Sequence, residues 1–219
     1  MIARGSQGRR AVRKTPATVR VAALSTSVLI AATALLGGCT SMGRLDADTK
    51  APSNRESVFV FGVTPDNHRI YVFPGHVEKG MFFQNQFRPA AVFGAAKNGY
   101  VVGKAAAGDV LAITSVRVVR EATDTLGEDF TPCGAAKTIV FEAPRGGVIY
   151  LGNLEYQFAG SELTVRYGQD FQAARNYIDA NYPALKGQLL QATFQLLPVA
   201  TGCSAVGGTI YIPVYLPRR

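Results

Sequence analysis

The chain is short of the residues that most often carry chemistry: its 219 residues include two histidines, three cysteines and no tryptophan. There is no CxxC pair and no histidine at ligand spacing, so a metal site has no support. No G-x-S-x-G elbow exists for a serine nucleophile. Gly207-Gly208 belongs to neither a P-loop nor a G-x-G-x-x-G turn that opens a helix, and no cofactor is expected. Acids are missing before Asp46, which explains most of the formal charge of +8. Arg4, Arg9, Arg10, Arg13, Lys14 and Arg20 supply six of the 23 cations, and the rest of the chain sets 17 cations against 15 acids. That small surplus, without a basic run interleaved with aromatics, argues against nucleic-acid binding. The remaining balance, 47% hydrophobic and 17% charged with 23 Gly and 11 Pro, is that of one globular domain with a tail.

The beginning of the chain has the three parts of an export signal. The six cations precede residues 21–36 (VAALSTSVLIAATALL), sixteen residues without a charge, and then come Gly37, Gly38 and Cys39. Sixteen helical residues reach about 24 Å, short of a hydrocarbon core of about 30 Å, so a cleaved signal fits better than a permanent span. Leu36-Gly37-Gly38-Cys39 resembles the lipobox of bacterial lipoproteins. That resemblance implies diacylglycerol on Cys39, removal of residues 1–38 and acylation of the new amino terminus. Several acyl chains anchor stably because each buried CH₂ contributes about 0.8 kcal/mol. Gly37 is less usual there than Ala or Ser. A plain signal peptide or an uncleaved signal anchor that happens to contain Cys39 is the alternative. In the family's sorting logic Thr40, rather than Asp, after the lipidated Cys implies the outer membrane, with the protein facing the periplasm. Arg9-Arg10 is similar to a twin-arginine signal, but the residues after it depart from that pattern, which favours the general secretory route. Residues 39–57, polar and broken by Pro52, are expected to be the lipidated Cys with a flexible tether, and residues 58–219 the folded domain.

With Cys39 assigned to lipid, Cys133 and Cys203 are the remaining thiols of an exported protein, and pairing them is the simplest arrangement. Such a bridge closes a loop of about 70 residues, worth on the order of 4 kcal/mol in the chain-entropy model. Two buried thiols or a metal pair are the alternatives.

Within the domain, short β-branched and aromatic runs predict strands. Val58-Phe59-Val60-Phe61 and Ile70-Tyr71-Val72-Phe73 flank the turn Thr64-Pro65-Asp66-Asn67. Ala91-Val92-Phe93 and Tyr100-Val101-Val102 flank Asn98-Gly99, a type I′ hairpin signal. Residues 110–118 predict a strand with Val110, Ala112, Val116 and Val118 on one face, and further strands follow at 138–141, 148–156 and 162–167. Residues 209–216 alternate but contain Pro213, which predicts an edge strand. One segment has helical period: Asp170 as N-cap, Phe171, Ala174, Tyr177 and Ile178 as an apolar stripe, and Tyr182-Pro183 as its end. The expected fold is mainly β, an antiparallel two-sheet sandwich with one late α-helix.

Thr131-Pro132-Cys133-Gly134, then Ile139-Val140-Phe141-Glu142, then Gly146-Gly147-Val148-Ile149-Tyr150-Leu151-Gly152-Asn153-Leu154 resemble a group of uncharacterised bacterial lipoproteins with carboxypeptidase-regulatory-like or transthyretin-like sandwich domains. The resemblance runs in order over residues 58–185. It implies a β-sandwich of immunoglobulin or transthyretin type and an envelope location, and no activity.

Candidate chemistry is sparse. His68 lies in a turn. His76 and Glu78 stand at alternate strand positions, where they form either a ligand pair or two polar loop residues. Glu128-Asp129 has the character of a solvated loop. Phe82, Phe83 and Phe87 in Met81-Phe82-Phe83-Gln84-Asn85-Gln86-Phe87-Arg88 are candidates for a partner surface or for core packing. The expectation is a lipid-anchored envelope protein with no catalytic residue, held to the membrane by its anchor and binding an envelope protein or glycan. An envelope hydrolase using carboxylates or His76 is the alternative, and small-ligand carriage between the sheets a third.

Overall fold

Alternate side chains of a pleated strand point to opposite faces, so β-branched and aromatic runs bounded by Gly, Pro and Asx turns settle into sheets that bury one or both faces. The computed structural model describes residues 43, 45–159, 162–200 and 209–211, and among them it contains thirteen strands and one α-helix. One sheet runs β5 (Tyr100–Ala106), β1 (Glu56–Thr64), β9 (Val148–Ala159), β10 (Glu162–Gly168) and β13 (Thr209–Tyr211), with β11 (Leu189–Gln191) beside the first half of β9. The other is built on β2 (His68–Glu78) paired with β6 (Val110–Val119). On the free side of β2 lie β3 (Met81–Gln84) and β4 (Val92–Gly94). On the far side of β6 lie β7 (Gly127–Pro132) and β8 (Lys137–Glu142), and β12 (Gln195–Pro198) extends β8.

The molecule is therefore mainly β and sandwich-like, but not wholly antiparallel. β9 runs parallel to both β1 and β11, and β13 runs parallel to β10 and β7. The reason is connectivity: the chain leaves β1, builds most of the second sheet and only then returns as β9, so the two neighbours need not be antiparallel. The sheets also join. β7 pairs with β6 through residues 127–130 and with β13 through Thr131 and Pro132, so the strand path is continuous from one sheet to the other. β13 is thereby paired along both sides rather than at an edge. Pro213 lies outside the described residues.

The core between the sheets holds Phe59, Phe61, Ile70, Val72, Leu111, Ile113, Ile139, Phe141, Leu151 and Leu163. Phe59, Phe61 and Phe141 meet edge to face with centroids 5.4–6.0 Å apart, a geometry worth about 0.5–1.5 kcal/mol per pair beyond area burial. Against the outer face of the β1 sheet packs helix α1 (Phe171–Asn181), whose Ala174, Tyr177 and Ile178 meet Val58, Val60, Val148 and Tyr150. The Asp170 carboxylate accepts from the Ala173 amide at 3.0 Å, a cap worth about 1 kcal/mol. A smaller cluster of Phe82, Ala112, Val140 and Val199 covers the outer face of the other sheet.

Several local expectations change once the sheets are assembled. Asn98 (φ 52°) and Gly99 (φ 83°) make the expected left-handed turn, and Lys97 and Tyr100 exchange hydrogen bonds across it, yet the hairpin is one bridge long. β4 pairs with β2 and β5 with β1, because the segment between them crosses from one sheet to the other. In β6 an extra residue, Thr114, shifts the register between Ser115 and Ile113. The bulge reverses the faces: Val116 joins Leu111 and Ile113 inside, while Ala112 and Val110 pack outside, so the single face drawn through Val110, Ala112 and Val116 does not exist. The stretch read as a tether is partly docked, since Leu45 is buried in the helix-side core.

Replacing Phe141 with Ala is expected to lower the unfolding free energy in a urea titration by about 3–5 kcal/mol, whereas Phe87→Ala changes it by no more than about 0.5 kcal/mol.

Candidate functional site

The aromatic segment after β2 divides by burial. Phe82 is fully buried in the outer cluster and is not a partner surface. Phe83, half-buried, stacks on His76 with centroids 5.4 Å apart. Phe87 is 99% exposed. The period of two explains the first pair, because Phe82 and Phe83 face opposite sides of β3. Phe87 lies beyond the strand, in a loop stitched at both ends. The Asn85 amide donates to Pro74 O at 2.9 Å, the Phe87 amide to the Asn85 side-chain oxygen at 2.9 Å, and the Ala91 amide to Val72 O at 2.8 Å. The Arg88 guanidinium donates both nitrogens to the two oxygens of Asp109 at 2.7 Å. A forked pair of this kind fixes direction as well as distance, so the ring beside it is held out on an anchored loop.

Next to this loop is a cleft of about 600 Å³ between β2 and β5, lined by Arg55, Glu56, Pro74, Arg88, Lys104 and Asp109 among others. Lys104 Nζ lies 2.6 Å from Glu56, and this contact holds the Glu56 carboxyl below its usual range. Asp109 raises the Arg88 pKa in the same way. With two cations paired to two acids, Arg55 leaves the cleft lining one positive charge in excess among the described residues.

A second cluster lies on the β2 sheet. Tyr71 and Phe93, opposite each other on β2 and β4, stack with centroids 4.0 Å apart. The Arg117 guanidinium lies 5.5 Å from the Tyr71 ring centroid and forks onto Asp129 at 2.7–2.8 Å. Arg69 donates to Ala122 O and Arg117 to Thr125 O, which fastens the β6–β7 loop onto the sheet. Glu128 and Asp129 thus belong to β7, not to a solvated loop. The alternation of Arg69 and Tyr71 against Ile70 and Val72 was the available signal for this cluster. A third feature, a groove of about 600 Å³ lined by Phe141, Leu190, Phe194 and Gln195, separates β8 and β12 from β9 and β11.

The two histidines differ. His76 and Glu78 are exposed, Glu78 pairs with Lys79 at 3.5 Å, and among the described residues no three His, Cys, Asp or Glu side chains are grouped to hold a metal. His68, expected in a turn, is buried at the start of β2 and stacks on Tyr156 at 5.4 Å. Asn67 donates an amide N–H to Val119 O, which turns its oxygen toward His68 Nδ1 at 2.9 Å, and His68 Nε2 has no hydrogen-bond partner among the described residues. Nδ1 therefore carries the proton, and burial lowers the pKa to about 4.

Cys133 follows β7 and is engaged, not free. Leu36, Gly37, Gly38, Cys39 and Cys203 lie outside the described residues. No family model matches the chain, and comparison with curated proteins and with solved structures finds no match.

His68 supplies a pH test. Its folded pKa lies below the ordinary 6.5, so the unfolded chain binds the extra proton, and stability is lost as pH falls from 6.5 towards 4. The loss sums to about 3 kcal/mol. In denaturant titrations at successive pH values, His68→Phe is expected to flatten that part of the profile; an unchanged slope would contradict the assignment.

Proposed function

We propose that the protein is a lipid-anchored module of the bacterial envelope that binds another envelope component without performing chemistry on it. The observation that carries the binding role is Phe87: a fully exposed aromatic ring on a loop anchored by the Arg88–Asp109 fork, beside a cleft with one unbalanced positive charge. An anchored loop presents its ring at little entropic cost on binding. The address is supported by the sequence, namely the basic start, the uncharged residues 21–36 and Leu36-Gly37-Gly38-Cys39. On this reading residues 1–38 are removed, Cys39 is acylated, and Thr40 directs the protein to the outer membrane, facing the periplasm. The finer fold assignment, a sandwich of immunoglobulin or transthyretin type, belongs to the same proposal.

A Cys133–Cys203 disulfide completes it. Thr209 and Ile210 pair with Thr131 and Pro132, so the chain six residues beyond Cys203 lies beside the strand that leads into Cys133. Six residues span at most about 22 Å, which leaves the two positions within reach of each other.

Intact-mass measurement of protein extracted from membranes tests anchor and staple together. The expected mass begins at Cys39 and carries lipid, it loses that lipid in Cys39→Ser, and it gains two alkyl groups only after reduction. An unlipidated mass would sink the anchor, and two thiols alkylated without reductant would sink the disulfide.

A further inference from the structure

The chain enters the domain beside the Phe87 loop. Gly43 packs so closely on the backbone of Ala91 and Val92 that a Cβ there would run into the Ala91 carbonyl. Ala91 closes the loop that carries Phe87, through its bond to Val72 O. Cys39 stands four positions before Gly43, at most about 14 Å of extended chain. Phe87 stands four positions before Ala91, with the same upper limit of about 14 Å. An anchor at Cys39 would thus hold this end of the domain, and this loop, at the bilayer surface.

The composition there suits such a surface. Arg88 and Lys104 are paired with Asp109 and Glu56, and Arg55 leaves the described lining of the neighbouring cleft one positive charge in excess. A cation close to an anionic leaflet is attracted to it, and aromatic rings favour the level of the headgroups. Of the other exposed leucines, Leu126 belongs to the β6–β7 loop and Leu190 to the groove beside β8.

We infer that the Phe87 loop is a membrane-contacting element, whose ring enters the interfacial region beside the anchor while Arg55 of the adjoining cleft faces anionic headgroups. The inference rests on the reading that Cys39 is lipidated, and it names the bilayer itself as the envelope component met by this loop. The tether is then short, and the lipid and the loop together set the orientation of the domain on the membrane.

The absence of tryptophan makes a direct test available. Full-length lipidated protein carrying Phe87→Trp is placed in vesicles containing anionic lipid and lipids with brominated acyl chains, and Leu190→Trp serves as the reference. The intact mass of each sample is recorded. Lipidated Phe87→Trp is expected to emit at shorter wavelength than the reference and to be quenched at least about twofold more, because the ring sits at the interface. A lipidated Phe87→Trp sample whose emission stays water-like and unquenched would overturn the inference and leave the anchor standing. Short-wavelength emission without quenching would also overturn it, in favour of a second copy of the chain covering the ring. An unlipidated mass would overturn the anchor reading and the inference with it.

Discussion

β1 is paired along both edges, to β5 and to β9, and its two faces are both buried, Phe59 and Phe61 towards the second sheet and Val58 and Val60 towards helix α1. A strand in that position requires a layer on each side of it. That requirement accounts for the late helix, which would have no purpose on a sandwich with one wetted outer face. It also accounts for the parallel pairing of β1 with β9, since the chain builds the second sheet before returning to the first. The domain is sandwich-like, with a helix as a third layer over one sheet.

The junction between helix and sheet runs through Tyr150-Leu151-Gly152-Asn153. Leu151 points into the inter-sheet core and Tyr150 into the helix side. The Tyr150 hydroxyl donates to the Asn153 side-chain oxygen at 2.7 Å and accepts the Asp170 amide at 3.0 Å, so it ties the helix cap to β9. Gly152 has φ 107°, a conformation that side chains rarely adopt. These four residues are therefore explained by packing and by the placement of a helix. They describe a scaffold, and the exposed chemistry lies elsewhere.

The proposed site uses a different part of the chain from that scaffold. Phe82, Phe83 and Phe87 stand close together in sequence, yet one is core, one stacks on a neighbouring histidine and one is in water. Composition alone treats the three as equivalent, because a ring has the same apolar character in each setting. Only the end of β3 and the loop that follows it separate them. The ion pairs of the loop and of the cleft beside it were equally hidden: Asp109 is 21 residues from Arg88, and Lys104 is 48 from Glu56. Arg117 and Asp129 meet for the same reason, on adjacent strands that bring distant residues opposite each other.

Local features were legible before any fold was known. The strands at 58–61, 70–73, 138–141 and 162–167, the Asn98-Gly99 turn and the Asp170-capped helix follow from alternation, backbone preference and side-chain capping, which act over a few residues. Which strand lies beside which, and so which face is buried, emerged only on assembly. The bulge at Thr114, the crossing between β4 and β5, the internal place of β13 and the burial of His68 and Leu45 each depend on partners far away in the chain. Pairing energy is gained only after a long loop has closed, and many registers satisfy the same local pattern until the competing surfaces are packed against one another.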